Sequence, residues 1–474
     1  MVAGYLTVRN LTPTTLILNH VDRFLVLNVL KCDTKQVKNE LKKSVTGSAA
    51  DADTSTQNSD PFVRQDVSIR IEPFHSVKTD IRAFDKSDKE RLQLIFEAEG
   101  ENHQIQITAS TWKSATSKPL GDSSRFRFTG IYIIPESHFA IYPCANLNAW
   151  MREFTDETYL SALSIPGTHN SSAYHLAAPS VRCQAVSSRE QLENGIRFFD
   201  IRVQPRFPNE PSKDKLLLVH GVFPISFSGP KYFRDLVSEV ESFLTENPSE
   251  TLIMSVKREG PGNHTDEQLS RILRDHYAYD GSKWYTEPRV PTLGESRGKI
   301  VLIRRFGLEE RLKKEWGGLG WGIDAEDVPD NTPFAVCPSG DLCIQDFYRV
   351  LDRTMIPRKI DYVNAQFERA AELRYPFGVI GKERVNNDDR GDHKVPFYIN
   401  FLSASNFWNV ATWPEKIAAR VNPAAVDYLC RKHHGKNGDW STGIAVCDWV
   451  GLDGDWDLVR CVVGMNSRLM MQQR

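Results

Sequence analysis

Residues 216–257 read LLLVHGVFPISFSGPKYFRDLVSEVESFLTENPSETLIMSVK, and this stretch decides the fold. Leu216–His220 and Thr251–Lys257 are short apolar runs of strand length. Between them, Lys231–Glu246 places Phe233, Leu236, Val237, Val240, Phe243 and Leu244 on one face at helical spacing. Asn247-Pro248 then stops the helix. Strand, amphipathic helix, strand is the signature of a parallel sheet covered by helices. The same alternation extends outward through Leu160–Ile165 and Ile196–Val203 on one side. On the other it continues through Lys299–Arg304, Val395–Leu402 and Ile444–Trp449. Residues 146–474 are therefore expected to form an α/β unit, an irregular (β/α) TIM-type barrel.

In such a barrel, chemistry gathers at the C-terminal ends of the strands. His169, Arg202, His220, Lys257, Arg305 and Asp448 all end or follow one of these runs. LSIPGTHNSS (163–172) carries His169 and Asn170, FFDIR (198–202) carries Asp200 and Arg202, and KLLLVHG carries His220. One histidine after a strand is more often structural than catalytic. Two of them, with an arginine between and a Pro-Gly turn ahead of the first, supply a general base, a general acid and a phosphate clamp. Those parts cleave a phosphodiester without a redox cofactor.

The rest of the 474-residue chain sets the context. It is 40% apolar and 25% charged, with 59 basic against 61 acidic residues. That balance is ordinary for a soluble globular protein and argues against global attraction to nucleic acid, which is not expected as a partner. No secretory signal is read at the N-terminus, and no apolar run reaches the roughly 18–20 residues that span a bilayer. The expected location is cytoplasmic and peripheral on membranes, with the chain acting as a monomer. The eight cysteines match neither a compact disulfide framework nor a zinc pattern, so reduced thiols are expected.

Residues 1–143 differ in kind. Tyr5–Arg9, Thr15–Leu18, Phe24–Leu30, Val67–Glu72, Leu92–Glu97, His103–Ala109 and Phe128–Ile134 alternate in the manner of half-buried strands, which predicts a smaller, β-rich, sandwich-like domain. Thr46–Asp60 and Ser114–Ser124 read as polar loops, as does Gly381–Lys394 further on. No catalytic constellation falls in this first region, whose role the sequence leaves open.

Taken in order, LSIPGTHNS, GIRFFDIR, LLLVHG, NPSETLIMSVKRE, GKIVLIRRFG, IQDFY, YINFLSAS and GIAVCDWVG resemble the X domain of phosphatidylinositol-specific phospholipase C, in its bacterial, metal-independent branch. The resemblance covers roughly Asn148 to Met465. It implies cleavage of an inositol phospholipid in a membrane surface to diacylglycerol and a cyclic inositol phosphate. By motif, His169 resembles the base on the inositol 2-hydroxyl and His220 the acid on the leaving oxygen. Asp448 resembles the carboxylate that orients the base, and Arg202 the cation facing the phosphoryl oxygens. Lys257, Arg305 and Asp346 resemble groups that hold inositol hydroxyls, with Tyr348 as the platform under the ring. The register is open by one residue at Arg304/Arg305 and at Lys257/Arg258, and Asp346 and Tyr348 could instead begin a helix.

One position departs from that branch. Bacterial members carry Asp after the first histidine, where this chain has Asn170. Calcium-dependent relatives have Asn there, but an acid in place of Arg202. Asp200 and Asn170 make a thin cage for an ion that prefers six to eight oxygens, so no metal cofactor is expected. Trp408 and Trp413, in SNFWNVATWP, are candidates for insertion at the headgroup level. Two other readings compete. A glycerophosphodiester phosphodiesterase needs an acidic metal cluster, and FFDIR offers one acid. A non-catalytic lipid-binding chain would not need both a base and an acid.

Overall fold

The computed structural model describes residues 4–25, 60–84, 90–108, 114–121, 124–375 and 395–473. The chain divides into two compact units, Met1–Ile141 and Tyr142–Arg474; the sequence placed the limits at 143 and 146.

In the first unit, strands form two five-stranded sheets. One holds Ser76–Arg82, Tyr5–Asn10, His138–Pro143, Phe128–Ile133 and Ala115–Thr116, and the other Val63–Ile71, Leu16–Leu25, Glu90–Ala98, Glu101–Thr108 and Lys118–Pro119. Period-two alternation drives this arrangement. Leu92, Leu94, Phe96 and Ala98 point inward, and with Leu6, Leu18, Phe128 and Phe139 they make a single apolar core. Ser76–Arg82 and His138–Pro143 escaped the sequence reading. The stretch Ser114–Ser124, read as loop, contributes two short strands instead. Most of Thr46–Asp60, all of Gly381–Lys394, and Phe24–Leu30 beyond Leu25 lie outside the described residues.

The second unit is mixed α/β. Its main strands are β1 (Ile165–Thr168), β2 (Phe198–Pro205), β3 (Leu216–His220), β4 (Leu252–Arg258), β5 (Ile300–Arg305), β6 (Leu342–Gln345), β7 (Phe397–Phe401) and β8 (Ile444–Cys447). The hydrogen-bonded order is β5-β4-β2-β1-β8-β7-β6, every neighbouring pair parallel. Trp284–Tyr285 and Ala335–Val336 flank its two ends, and no strand pairing joins those ends among the described residues. The sheet is thus a curled half-barrel, open between those ends. Helices α1 (Phe233–Glu246), α2 (Ile356–Ala371) and α3 (Pro414–Arg431) cover it, each burying one apolar stripe.

Three sequence expectations are corrected here. Leu160–Ile165 is not a strand: Leu160–Ala162 is a 3₁₀ turn, and its three-residue repeat buries both Leu160 and Leu163. The strand begins at Ile165 and includes Pro166 and Gly167, so the Pro-Gly pair is not a turn. Gly167 lies so close to β2 that a Cβ there would sit 2.8 Å from the Phe198 side chain. Finally, β3 is antiparallel to β2, with Val203 opposite Leu218, and is not one of the parallel strands. No disulfide joins the described cysteines.

Candidate active site

The parallel strands deliver their functional side chains to one end of the sheet. His169 follows β1, Asp200 and Arg202 sit on β2, Lys257 on β4 and Arg305 on β5; Asp346 follows β6 and Asp448 follows β8. The antiparallel return of β3, with Val203 opposite Leu218, brings His220 back alongside the part of β2 that carries Arg202. His169, Arg202, His220, Lys257, Arg305, Asp346 and Tyr348 line one cleft of about 410 Å³. The ten residues singled out in the sequence therefore converge. Asn170, Asp200 and Asp448 are buried beside that lining: Asp200 pairs with Arg202, Asp448 with His169, and the Asn170 backbone amide donates to Asp200 Oδ2 at 3.3 Å.

The two histidines face each other edge to face, with ring centroids 6.0 Å apart. His169 Nδ1 is 2.9 Å from Asp448 Oδ1. Gln184 donates from Nε2 to the carbonyls of His169 at 2.6 Å and Cys447 at 3.0 Å, tying together the strand ends that carry that pair. The chain turns sharply after each member, with Asn170 at φ 39° and Trp449 at φ 53°. Asn tolerates that left-handed conformation better than most residues. Burial lowers the His169 pKa, but the charge and hydrogen bond of Asp448 outweigh it and raise it above the ordinary imidazole value. His220 has no carboxylate partner; its Nδ1 lies 2.8 Å from the Val181 carbonyl. Burial, with positive charge on His169 and Arg202 nearby, pulls it down to about 4.

Arg202 is clamped from two sides. Its Nε and Nη2 donate to Asp200 at 2.7–3.1 Å, and Nη1 donates to Glu259. Glu259 also accepts from the Gly221 amide at 2.7 Å, linking the guanidinium to the residue after His220. Although burial opposes it, Arg202 and Arg305 hold the Asp200 carboxyl well below the usual range, and Arg202 with Lys257 brings Glu259 to about 2. Glu259 escaped the sequence reading. Its only signal was a place two residues after Lys257, just past the end of the strand.

The open registers close in favour of the residues named. Arg305 lies 3.7 Å from Asp200 and 3.8 Å from Asp346, whereas Arg304 pairs with Asp324 and Glu326. Lys257 lines the cleft, and Arg258 pairs with Asp266. Tyr348 donates to Asp330 at 2.6 Å and belongs to the cleft wall, not to a helix start. Lys359, which the sequence did not flag, is fully buried on α2 and donates to Gln345 Oε1 and the Phe401 carbonyl, 3.1 and 2.5 Å away. Burial lowers its pKa to about 7.

On the rim, Phe223 and Phe407 stack with centroids 5.0 Å apart, and Trp408 is 88% exposed. Trp413 does not share that role. It is half-buried at the start of α3, and its indole N–H donates to the Phe407 carbonyl at 3.1 Å, fixing the loop from beneath. Among the described residues no helix is long and apolar enough to cross a membrane.

Residues 160–306 match the family described as phosphatidylinositol-specific phospholipase C, X domain. A 1-phosphatidylinositol phosphodiesterase of Listeria monocytogenes is 35% identical over 164 residues, 32% of this chain and 47% of that protein. The chain thus aligns with just under half of that relative. One from Staphylococcus aureus is 25% identical over 334 residues, 67% of this chain and 94% of that one. Among solved structures, the phosphatidylinositol-specific phospholipase C from S. aureus covers 68% of this chain with a TM-score of 0.51 at 24% identity, a likeness of fold. Within the second unit, residues 160–306 are therefore similar to the X domain of phosphatidylinositol-specific phospholipase C, and the bacterial relatives extend that similarity to as much as 67% of the chain.

Proposed function

We propose that this chain cleaves phosphatidylinositol, or a closely related inositol lipid, to diacylglycerol and a cyclic inositol phosphate without a metal cofactor. The observation that carries this reading is the facing histidine pair, 6.0 Å apart at the mouth of an arginine held by two carboxylates. In each histidine Nδ1 is engaged, which leaves Nε2 to exchange protons with the substrate. His169 takes the proton of the inositol 2-hydroxyl, and that oxygen attacks phosphorus in line. The P–O bond to glycerol breaks, and His220 delivers a proton to the departing oxygen. Asp448 holds the base and stabilises its imidazolium, while Arg202 offsets charge on the phosphoryl oxygens.

Calcium does not fit the residues present. Of the carboxylates nearest the histidines, Asp200 and Glu259 are engaged by the Arg202 guanidinium and Asp448 by His169. The same engagement argues against a glycerophosphodiester phosphodiesterase built on an acidic metal cluster. Lys257, Arg305, Asp346 and Tyr348 surround the space for the inositol ring. Glu326, Asp330 and Asp346 on that wall disfavour a ring bearing further phosphates. An unphosphorylated lipid or a glycosylated anchor suits it better. The exposed Phe223, Phe407 and Trp408 surround the entrance with the apolar groups that enter a headgroup layer.

The deciding experiment is turnover of phosphatidylinositol vesicles in excess chelator, following the soluble product by phosphorus NMR. Wild type should release a cyclic phosphate, and His169→Ala and His220→Ala should each lose about 10²-fold or more. Activity that vanishes in chelator and returns with calcium would overturn the metal-free mechanism. Absence of product in both conditions would overturn the substrate.

A further inference from the structure

Behind the histidine pair lies a group that the proposed reaction does not use. Cys183 is fully buried, and its sulfur stands 3.6 Å from His220 Nδ1. The ligand atoms of Cys183, His169 and Asp448 all lie within 4.8 Å of one another. An imidazole nitrogen, a thiolate and a carboxylate oxygen form a donor set suited to zinc and its soft congeners and foreign to calcium or magnesium. Tetrahedral bonds of about 2.0–2.3 Å place neighbouring ligands roughly 3.3–3.8 Å apart. Closing the cluster on an ion therefore asks for movement of about an ångström. A second observation points the same way. Asp448 uses Oδ1 toward His169, while its Oδ2 is buried with no hydrogen-bond partner. Such an atom is costly to leave unpaired and available to a cation.

We propose that Cys183, His169 and Asp448 form an inhibitory site for zinc or a similar soft divalent cation, within the catalytic centre assigned above. The ion takes the place of the proton between His169 Nδ1 and Asp448, and that proton moves to Nε2. The thiol of Cys183 gives up its own proton to solvent as the metal–sulfur bond forms, so one proton is released per ion bound to the neutral imidazole; where His169 is already charged, Nε2 is occupied, the Nδ1 proton leaves to solvent as well, and two are released. The bound ion, one thiolate and one carboxylate then sum to no net charge, which suits a buried place. With Nε2 protonated, His169 has no lone pair for the inositol hydroxyl. His220 or water completes the fourth position. Because no redox change occurs, a chelator reverses the inhibition.

The test uses the full chain, stripped of metal, with zinc binding measured by competition against a chromophoric chelator and cobalt binding by its thiolate-to-metal absorption. Wild type should bind one ion with that absorption present. Cys183→Ala and Cys183→Ser, each verified as folded by its unfolding temperature, should bind at least tenfold more weakly and lack it. Equal binding by wild type and both variants, or a cobalt form without the thiolate signature, overturns the site. Vesicle turnover separates the remaining outcomes. Zinc binding as expected without loss of turnover overturns the inhibitory role. If the metal pattern holds but metal-free wild type turns over no lipid, the site stands and the phospholipase reading fails.

Discussion

At the residue scale, the free site holds its proton on the histidine proposed as base. His169 titrates above the ordinary value of 6.5 and His220 near 4, so between these values the single shared proton rests on His169. The form with a neutral base and a charged acid carries the same number of protons, and the rate depends on pH as if either form reacted. The expected kcat/KM profile is a broad bell. It falls below about pH 4, where both rings are charged, and again above the raised pKa of His169, where both are neutral. Two limbs close together near 6.5 would contradict it. Asn170→Asp tests the origin of the low limb. A carboxylate there favours a charged His220, moves that limb upward, and should raise neutral-pH turnover by up to tenfold for each pH unit the limb moves. An unmoved limb would show that this position does not act on the acid.

Some residues were legible and others were not, for physical reasons. Histidine and arginine at strand ends stand out because an isolated charge there has few structural uses. The choice between Arg304 and Arg305 was invisible, because adjacent strand residues face opposite sides and sequence alone does not say which side holds the cleft. Glu259 and Cys183 were hidden for another reason. Their importance lies in partners 57 and 37 positions away in the chain, Arg202 and His220.

At the scale of elements, the strand–helix alternation was legible because it is local, while the antiparallel course of β3 was not. Its apolar run looks like any parallel strand, and only the pairing with β2 sets its direction. Beneath β6 and β7, Lys359 joins Gln345 and the Phe401 carbonyl in a buried polar knot. Both acceptors keep a second donor, from the Phe347 amide and from Gln345 Nε2. Lys359→Met should therefore cost little at pH 7, or stabilise the unit, because it removes a cation that burial disfavours. The sign follows from linkage. A lysine near 7 in the fold and 10.5 when unfolded makes wild-type stability rise with pH across that window. Urea unfolding at pH 7 and 9 should show that slope in wild type and its loss in the variant. The rim loop after β7 has a different task. Trp408→Ala removes an exposed ring worth about 1.5–3 kcal/mol if it becomes buried in lipid, so vesicle affinity in a flotation assay should drop by roughly tenfold or more. Turnover of a short-chain monomeric substrate should hold.

At the scale of the whole molecule, the first unit carries its own sensitivity to acid. His103 is fully buried between Phe96 and Phe128, and neither ring nitrogen has a hydrogen-bond partner. Burial lowers its pKa below the ordinary 6.5, so the fold keeps it neutral. As pH drops below 6.5, the unfolded chain gains a proton that the folded unit refuses, and stability is lost. Hydrogen exchange across Glu90–Thr108 should accelerate from pH 7 to pH 5 beyond the intrinsic amide trend. His103→Leu should remove that excess; an unchanged response would place the sensitivity elsewhere. Two units were legible from the switch in periodicity, and what the first does for the second was not, since no motif of chemistry falls within it.

The clamp of Arg202 between Asp200 and Glu259 has a further consequence for control. A positive charge that belongs to a side chain is present whenever the protein is made; it has no dissociation constant and no concentration to follow. On the mechanism proposed above, such a catalyst does not wait for an ionic pulse to switch it on. Its activation then passes to whatever governs its meeting with the lipid, and becomes a matter of place.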